Sequence, residues 1–269
     1  MSTLTLVRHG QAEPFQGERS VLTSLGETQA ARLAQFWLRQ QVRFDEVYSG
    51  DLPRQTRTEQ VVADCFRASG QPWPEPQADA AWNEYDAPGM LQHLASADPS
   101  RAATVREIIA RQRARQAEPP VPLDPDPAAT GSEQILATLA AQYAQARSGP
   151  NANRAFQRMF EALMLRWLEG GTADGVEPWT TFRDRVSGAI RRIMEGPPGR
   201  RVAVFTSGGP IGFAVHFALR APVRSFLDVN WRVRNSSVTE FIFDRERFTL
   251  DSFNGIPHLI EDAALRTWR

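Results

Sequence analysis

The fold is decided at Leu4-Thr5-Leu6-Val7-Arg8-His9-Gly10, where an apolar run stops abruptly in Arg-His-Gly. Strand residues of this kind bury easily; an arginine and a histidine side by side do not. Charge at the carboxyl end of a strand, in the crevice of an α/β sheet, is where ligands bind. The stretch therefore reads as a buried first strand that delivers two polar side chains to one sheet edge.

Working outward, the loop from Gln11 to Leu22 is polar, and Ser24-Leu25-Gly26-Glu27 has the form of a capping box with Ser24 as N-cap. Ala30, Leu33, Ala34 and Trp37 follow at helical spacing. Phe44 to Ser49 reads as a second strand and Gly50-Asp51-Leu52-Pro53 as a turn, with Pro53 suited to a first helical position. Thr58, Val61, Val62, Cys65 and Phe66 give the next helix its apolar stripe. Strand, helix, strand, helix is the pattern of a parallel sheet.

The α/β pattern breaks at the proline-rich stretch 70–76 and resumes only after about residue 178. Between about 88 and 178 the chain reads as a helical insertion. It holds a basic helix (101–116), a segment with five prolines (118–131), a further helix (132–147) and a thick stripe of Phe156, Met159, Phe160, Met164 and Trp167. Beyond it come a helix marked by Phe182, Val186, Ala189, Ile190 and Ile193, then a strand over 202–205 ending in Thr206-Ser207-Gly208-Gly209-Pro210, then a helix from near Ile211. A hairpin of 238–243 and 248–253 closes the pattern. The expected architecture is one three-layer α/β/α domain over 1–269, with a mostly parallel central sheet and the insertion capping the site at its carboxyl edge.

Composition narrows the functional classes. Formal net charge is +0 and charged residues make up 23%, so nothing favours nucleic acid or a membrane as partner. All 31 basic residues are arginine, which excludes Schiff-base or lysine general-base chemistry. The single cysteine, Cys65, allows neither an internal disulfide nor a multi-cysteine metal site, and its apolar neighbours suit packing. No leader precedes Leu4 and no run reaches membrane-spanning length, so a cytoplasmic protein is expected.

In a parallel sheet the ends of the first, second and late strands share one edge. A phosphoryl group there would meet His9, the guanidinium forks of Arg8 and Arg54, two helix N-termini, and glycines that let the backbone approach an anion. Leu6-Val7-Arg8-His9-Gly10, Leu22-Thr23-Ser24-Leu25-Gly26-Glu27-Thr28-Gln29-Ala30 and Asp51-Leu52-Pro53-Arg54-Gln55-Thr56-Arg57-Thr58 resemble the histidine phosphatase superfamily, the phosphoglycerate mutase-like proteins. The likeness extends to Asn83-Glu84-Tyr85, Gly208-Gly209-Pro210-Ile211 and Asn235-Ser236-Ser237-Val238-Thr239-Glu240. It covers roughly 1–90 and 178–260.

The resemblance implies that His9 is a nucleophile forming a phosphohistidine and that Arg8 and Arg54 hold the transferring group. It implies that Glu84 protonates the leaving oxygen and that Ser207 and Gly208 complete the phosphate cradle, with no metal and no cofactor. The substrate would be a small-molecule phosphomonoester. The family's second histidine aligns with Ser207. Charge-assisted hydrogen bonds are about twice as strong as neutral ones, and losing one preorganised donor costs about 2.7–4 kcal/mol of transition-state stabilisation. Hydrolysis is the expected reaction. Two alternatives stay open: mutase-type phosphoryl transfer, although Gln11-Ala12-Glu13-Pro14-Phe15 lacks the mutase continuation, and a phosphate-ligand or protein-binding module impaired by Ser207. Of the other histidines, His216 lies too far along its helix to substitute, His93 belongs to the insertion, and His258 is expected to pack locally. Trp167, Trp179 and Trp231 are candidates for a homo-oligomer interface.

Overall fold

The computed structural model describes residues 1–13, 19–96, 139–140, 142, 152–171 and 174–268. They fall into two units, one of residues 1–84 and those from 183 onward, the other of the described residues between 85 and 182.

The first unit is built on a six-stranded sheet of order β3-β2-β4-β1-β5-β6. Its strands are β1 (Ser2–Arg8), β2 (Glu46–Ser49), β3 (Pro76–Ala78), β4 (Arg201–Thr206), β5 (Val238–Phe243) and β6 (Phe248–Gly255). β1, β2, β3 and β4 run parallel to one another, and β5 and β6 join through antiparallel pairings at one side. Strand residues alternate between faces. Val7, Val47, Ala203 and Phe205 form one core with Ala30, Leu33, Ala34 and Trp37 of α1 (Ser24–Arg39) and Val62 and Phe66 of α2 (Pro53–Ala68). The alternate set, Leu4, Leu6, Val202 and Val204, is wholly buried on the opposite face. Both faces are covered, as a mostly parallel sheet requires.

Several local expectations need correction. The N-cap of α1 is Thr23, whose hydroxyl accepts from Gly26 N–H at 3.1 Å, so Ser24 is already helical and Glu27 is not the capping partner. Glu27 pairs instead with Arg57 at 2.7 Å on the surface, a contact of about 1 kcal/mol at most. The helix after β4 starts at Gly208, three residues before Ile211. Ser207 is therefore its N-cap, and Pro210 falls in the first turn, where its missing N–H costs nothing. Strand β3 had no sequence signal: it is three residues long, begins at a proline and lies at the sheet edge. The expected hairpin is present, with Asp244 Oδ1 accepting from Glu246 and Arg247 N–H at 2.8 and 2.7 Å.

The second unit contains α3 (Ala87–Ser96), α4 (Ala152–Leu168) and the start of α5 (Trp179–Glu195). The Met and aromatic stripe of α4 is buried. Trp167 packs against Tyr85, Trp179 and Phe182 with ring centroids 5.2–5.5 Å apart, and its indole N–H donates to Glu177 O at 2.7 Å. Trp167 and Trp179 are thus 2% and 6% exposed inside their own chain, which removes them as interface candidates. The arginine-rich helix, the proline segment and most of 132–147 lie outside the described residues. Among the described residues no helix is long and apolar enough to cross a membrane.

Candidate active site

β1, β4 and β2 end together because they are parallel and in register: Arg8 pairs with Thr206, and Ser49 with Phe205. One residue further on, His9 and Ser207 follow the ends of adjacent strands. His9 N–H donates to Thr206 O at 2.8 Å, which carries the pairing past the strand end. Gly10 then turns the chain beneath α1. A Cβ on Gly10 would lie 2.3 Å from Gly26 O, and one on Gly26 would lie 2.0 Å from Gln11 O, so both positions need glycine.

His9 is buried, and its Nδ1 lies 2.7 Å from Gly10 O. A carbonyl can only accept, so Nδ1 carries the proton and the neutral ring keeps its lone pair on Nε2. Burial holds the imidazole well below its ordinary pKa, with Arg54 and then Arg8 lowering it further and the Gly10 contact opposing them. At neutral pH the ring is an uncharged base with one defined nucleophilic nitrogen.

Arg54 is the second helical residue of α2, set there by Leu52 as N-cap and Pro53 at the first position. Its carbonyl accepts from the Thr58 hydroxyl at 2.7 Å, and Thr58 Oγ1 in turn accepts from Gly10 N–H at 3.1 Å. That chain of bonds ties the first turn of α2 to the residue after His9. Burial lowers the Arg54 pKa from its ordinary value, and Glu84 pulls it back up. Arg8 donates from Nη1 to the carbonyls of Val233 and Trp268, so its guanidinium is anchored by backbone.

Glu84 follows a short 3-10 turn, Ala80–Trp82, and is half-buried. Both its oxygens accept from Gly209 N–H, at 3.0 and 3.2 Å, so its carboxylate rests on the first turn of α6 (Gly208–Leu219). A carboxylate there is favoured by the open N–H groups and the dipole of a helix start. A Cβ on Gly208 would come within 2.9 Å of Asn230 Oδ1.

Ser207 is fully buried, and its hydroxyl accepts from Gln55 Nε2 at 2.9 Å. Gln55 is also fully buried: its amide donates to Trp82 O at 3.0 Å and accepts from Leu52 N–H at 3.3 Å. The other three histidines make their contacts elsewhere or belong to the other unit. His216 contacts Ser225 Oγ at 3.5 Å, His258 lies 3.2 Å from Ser236 Oγ, and His93 belongs to the second unit. Arg57 is exposed with Glu27.

The sequence offered no role for Gln55, Thr58 or Arg185, although Gln55 and Thr58 stand beside Arg54 in the quoted turn. A second set lies under His9. Asn235 Nδ2 and Ser236 N–H both donate to His9 O (3.4 and 3.2 Å), and Asn235 Oδ1 accepts from Thr267 Oγ1 at 2.9 Å. Gln29 links this set to Gln11 N–H, Leu265 O and Thr267. Every one of these polar groups is buried and satisfied across a long sequence separation, which is the condition for keeping them inside.

No curated protein sequence matches the chain. Among solved structures, a mutant phosphoserine phosphatase from Entamoeba histolytica in complex with phosphoserine is 17% identical, with TM-score 0.55 over 97% of this chain and 100% of that one. A phosphoglycerate mutase from Bacillus anthracis is 17% identical, with TM-score 0.55 over 96% and 95%. The α-ribazole phosphatase from Shigella flexneri is 16% identical, with TM-score 0.55 over 94% and 96%. At these identities the likeness is one of fold. The sequence model for the histidine phosphatase superfamily (branch 1) matches residues 4–119 and 133–255, reaching into both sides of the insertion, and the chain belongs to that superfamily.

Proposed function

We propose that the chain is a metal-independent phosphatase that hydrolyses a small-molecule phosphomonoester through a phosphohistidine on His9. The observation that carries this is the Nδ1–H···O=C contact to Gly10 in a buried ring flanked by Arg54 and Arg8, which leaves Nε2 as a neutral nucleophile. In the first step the Nε2 lone pair attacks phosphorus. The N–P bond forms as the ester P–O bond breaks, and the departing oxygen keeps the electron pair and takes a proton from Glu84. In the second step Glu84 removes a proton from water, whose oxygen attacks phosphorus and displaces Nε2, releasing inorganic phosphate. Arg8 and Arg54 neutralise charge on the equatorial oxygens throughout. Ser207 offers its hydroxyl proton, since its oxygen already accepts from Gln55, and the Gly208–Gly209 turn offers backbone N–H groups.

Glu84 and the phosphate would share the start of α6, so substrate entry draws the carboxylate off Gly209 N–H and toward the ester oxygen. This reading takes the chain as one histidine phosphatase domain with a helical insertion over about 88–178 that selects the substrate, working in the cytoplasm. Phosphatases of phosphoserine and of α-ribazole phosphate share the fold, and so does a mutase. The test is turnover of p-nitrophenyl phosphate and a panel of phosphate esters, with acid-labile, base-stable labelling of the enzyme. His9→Ala abolishes both if the proposal holds, and equal turnover by the two proteins overturns it. A second reading, ligand binding without turnover, draws on Ser207 in place of a charged donor; calorimetric binding of phosphate esters with no product released would favour it.

A further inference from the structure

Glu84 lies on no helix or strand that would fix it. The chain leaves the first unit immediately after it, so the segment before it must be held by side chains. Trp82 O accepts from Thr206 Oγ1 at 2.6 Å and from Gln55 Nε2 at 3.0 Å. Asn83 is joined to Asp51 by Asp51 N–H to Oδ1 (3.0 Å) and Nδ2 to Oδ1 of Asp51 (2.5 Å). The carbonyls on either side converge on one residue, Arg185 of α5. Its Nη1 donates to Ala81 O at 2.9 Å and Asn83 O at 2.8 Å, with Ala80 O at 3.5 Å, and its Nη2 donates to Glu84 O at 3.3 Å.

We propose that Arg185 is a positioning residue for Glu84: its guanidinium gathers the carbonyls of Ala81, Asn83 and Glu84 and so aims the Glu84 carboxylate at the leaving oxygen. The proposal rests on the reading of Glu84 as proton donor. A planar fork with five N–H groups in fixed directions binds several carbonyls from two nitrogens at once; a lysine ammonium carries its three N–H groups on one compact nitrogen at the end of a flexible stem. Arg185 acts through Glu84, so its effect is confined to the steps in which Glu84 moves a proton: to the leaving oxygen and, later, from water.

That confinement supplies a readout which a merely structural role would not move. p-Nitrophenolate leaves without help from an acid, whereas an alkoxide does not. Misplacing a catalytic group by about 1 Å costs on the order of 10² in rate, so Arg185→Met is expected to cut kcat/KM for an alkyl phosphate about 100-fold. For p-nitrophenyl phosphate kcat/KM, which covers only the steps up to release of the leaving group, should fall no more than about threefold, because Arg8, Arg54 and His9 are intact; the water step, which also uses Glu84, is common to all esters and enters kcat alone. Arg185→Lys should show the same bias at intermediate size, and it keeps the charge if the methionine variant does not fold. Glu84→Gln is the control. If Glu84→Gln shows the leaving-group bias and both Arg185 variants lose rate equally on all esters, or lose none, the role of Arg185 is overturned and that of Glu84 stands. If Glu84→Gln itself shows no bias, the proton-donor reading fails and this proposal fails with it.

Discussion

The Nη1 of Arg8 donates to the carbonyl of Trp268 at 2.8 Å, joining residues 260 positions apart. The last described residues are therefore part of the candidate phosphate site. Thr267 O accepts from Asn235 N–H at 2.9 Å, its hydroxyl donates to Asn235 Oδ1, and the Trp268 ring lies 5.3 Å beneath the Arg234 guanidinium.

Ending the chain before Thr267 removes an acceptor from Arg8 and two partners from Asn235, which in turn supports His9 O. We expect such a truncation to weaken inhibition by inorganic phosphate or vanadate by tenfold or more, since charge-assisted hydrogen bonds each contribute about 1.5–3 kcal/mol. Measured inhibition constants check this. An unchanged constant would show that Arg8 is oriented without the Trp268 carbonyl.

The pKa of His9 is held well below 6.5 by burial and by Arg54 and Arg8. The nucleophile therefore stays neutral under mildly acidic conditions. The acid limb of kcat/KM assigned to the free enzyme should fall below pH 6.5, and Arg54→Gln should move it upward, because that substitution removes the larger of the two repulsive charges. A profile for each protein tests the direction of the shift; a downward move in the variant would contradict the electrostatic assignment.

His258 provides a separate pH effect, on stability. Its ring is buried beside Ser236 and Phe36, its Nδ1 has no partner among the described residues, and burial lowers its pKa to about 4. An unfolded chain takes up this proton near pH 6.5, whereas the folded chain does not until about 4. Between those values the unfolded state binds more protons, so stability falls as pH drops, by on the order of 3 kcal/mol in total. His258→Gln should flatten the decline in Tm across that window even if it lowers Tm at pH 7.5. An unchanged slope would place the proton uptake elsewhere, with His9 as the next group to examine.

How much of this was legible in the sequence depends on where each residue's signal resides. Arg8 and His9 stand out because they interrupt an apolar run, and Arg54 because Pro53 marks a helix start; both signals are local. β1, β2 and β4 follow from equally local apolar stretches, whereas β3 carries no such signal. Gln55 and Arg185 carry no local signal: each sits on an amphipathic helix at a position that reads as solvated, and each is buried or half-buried only because a distant loop lies over it. Thr267 and Trp268 are likewise defined by Asn235, Gln29 and Arg8, far away in the chain. The misplaced cap of α1 has a different cause. Thr23 and Ser24 are both favourable N-caps, Ser the better of the two on intrinsic preference, and the choice is made by Gln11, whose carbonyl and amide oxygens accept from Thr23 at 2.9–3.3 Å.

Ser207 is the position where fold and rate are most directly opposed. It is fully buried, its hydroxyl accepts from Gln55, and Gln55 is itself saturated by Trp82 and Leu52. Ser207→Ala leaves a buried amide N–H unpaired, and we expect a loss of about 1–3 kcal/mol in urea unfolding. Ser207→His must displace Gln55 to fit, so overpacking is expected to cost about 1–3 kcal/mol as well. The two variants separate in turnover. A histidine there adds a charged donor to the phosphoryl oxygens, and kcat should rise by about tenfold or more despite the lower stability, whereas the alanine variant should lose activity. If Ser207→His lowers stability and kcat together, Ser207 and Gln55 form a settled replacement for the charged donor, and the site runs on Arg8, Arg54 and the start of α6.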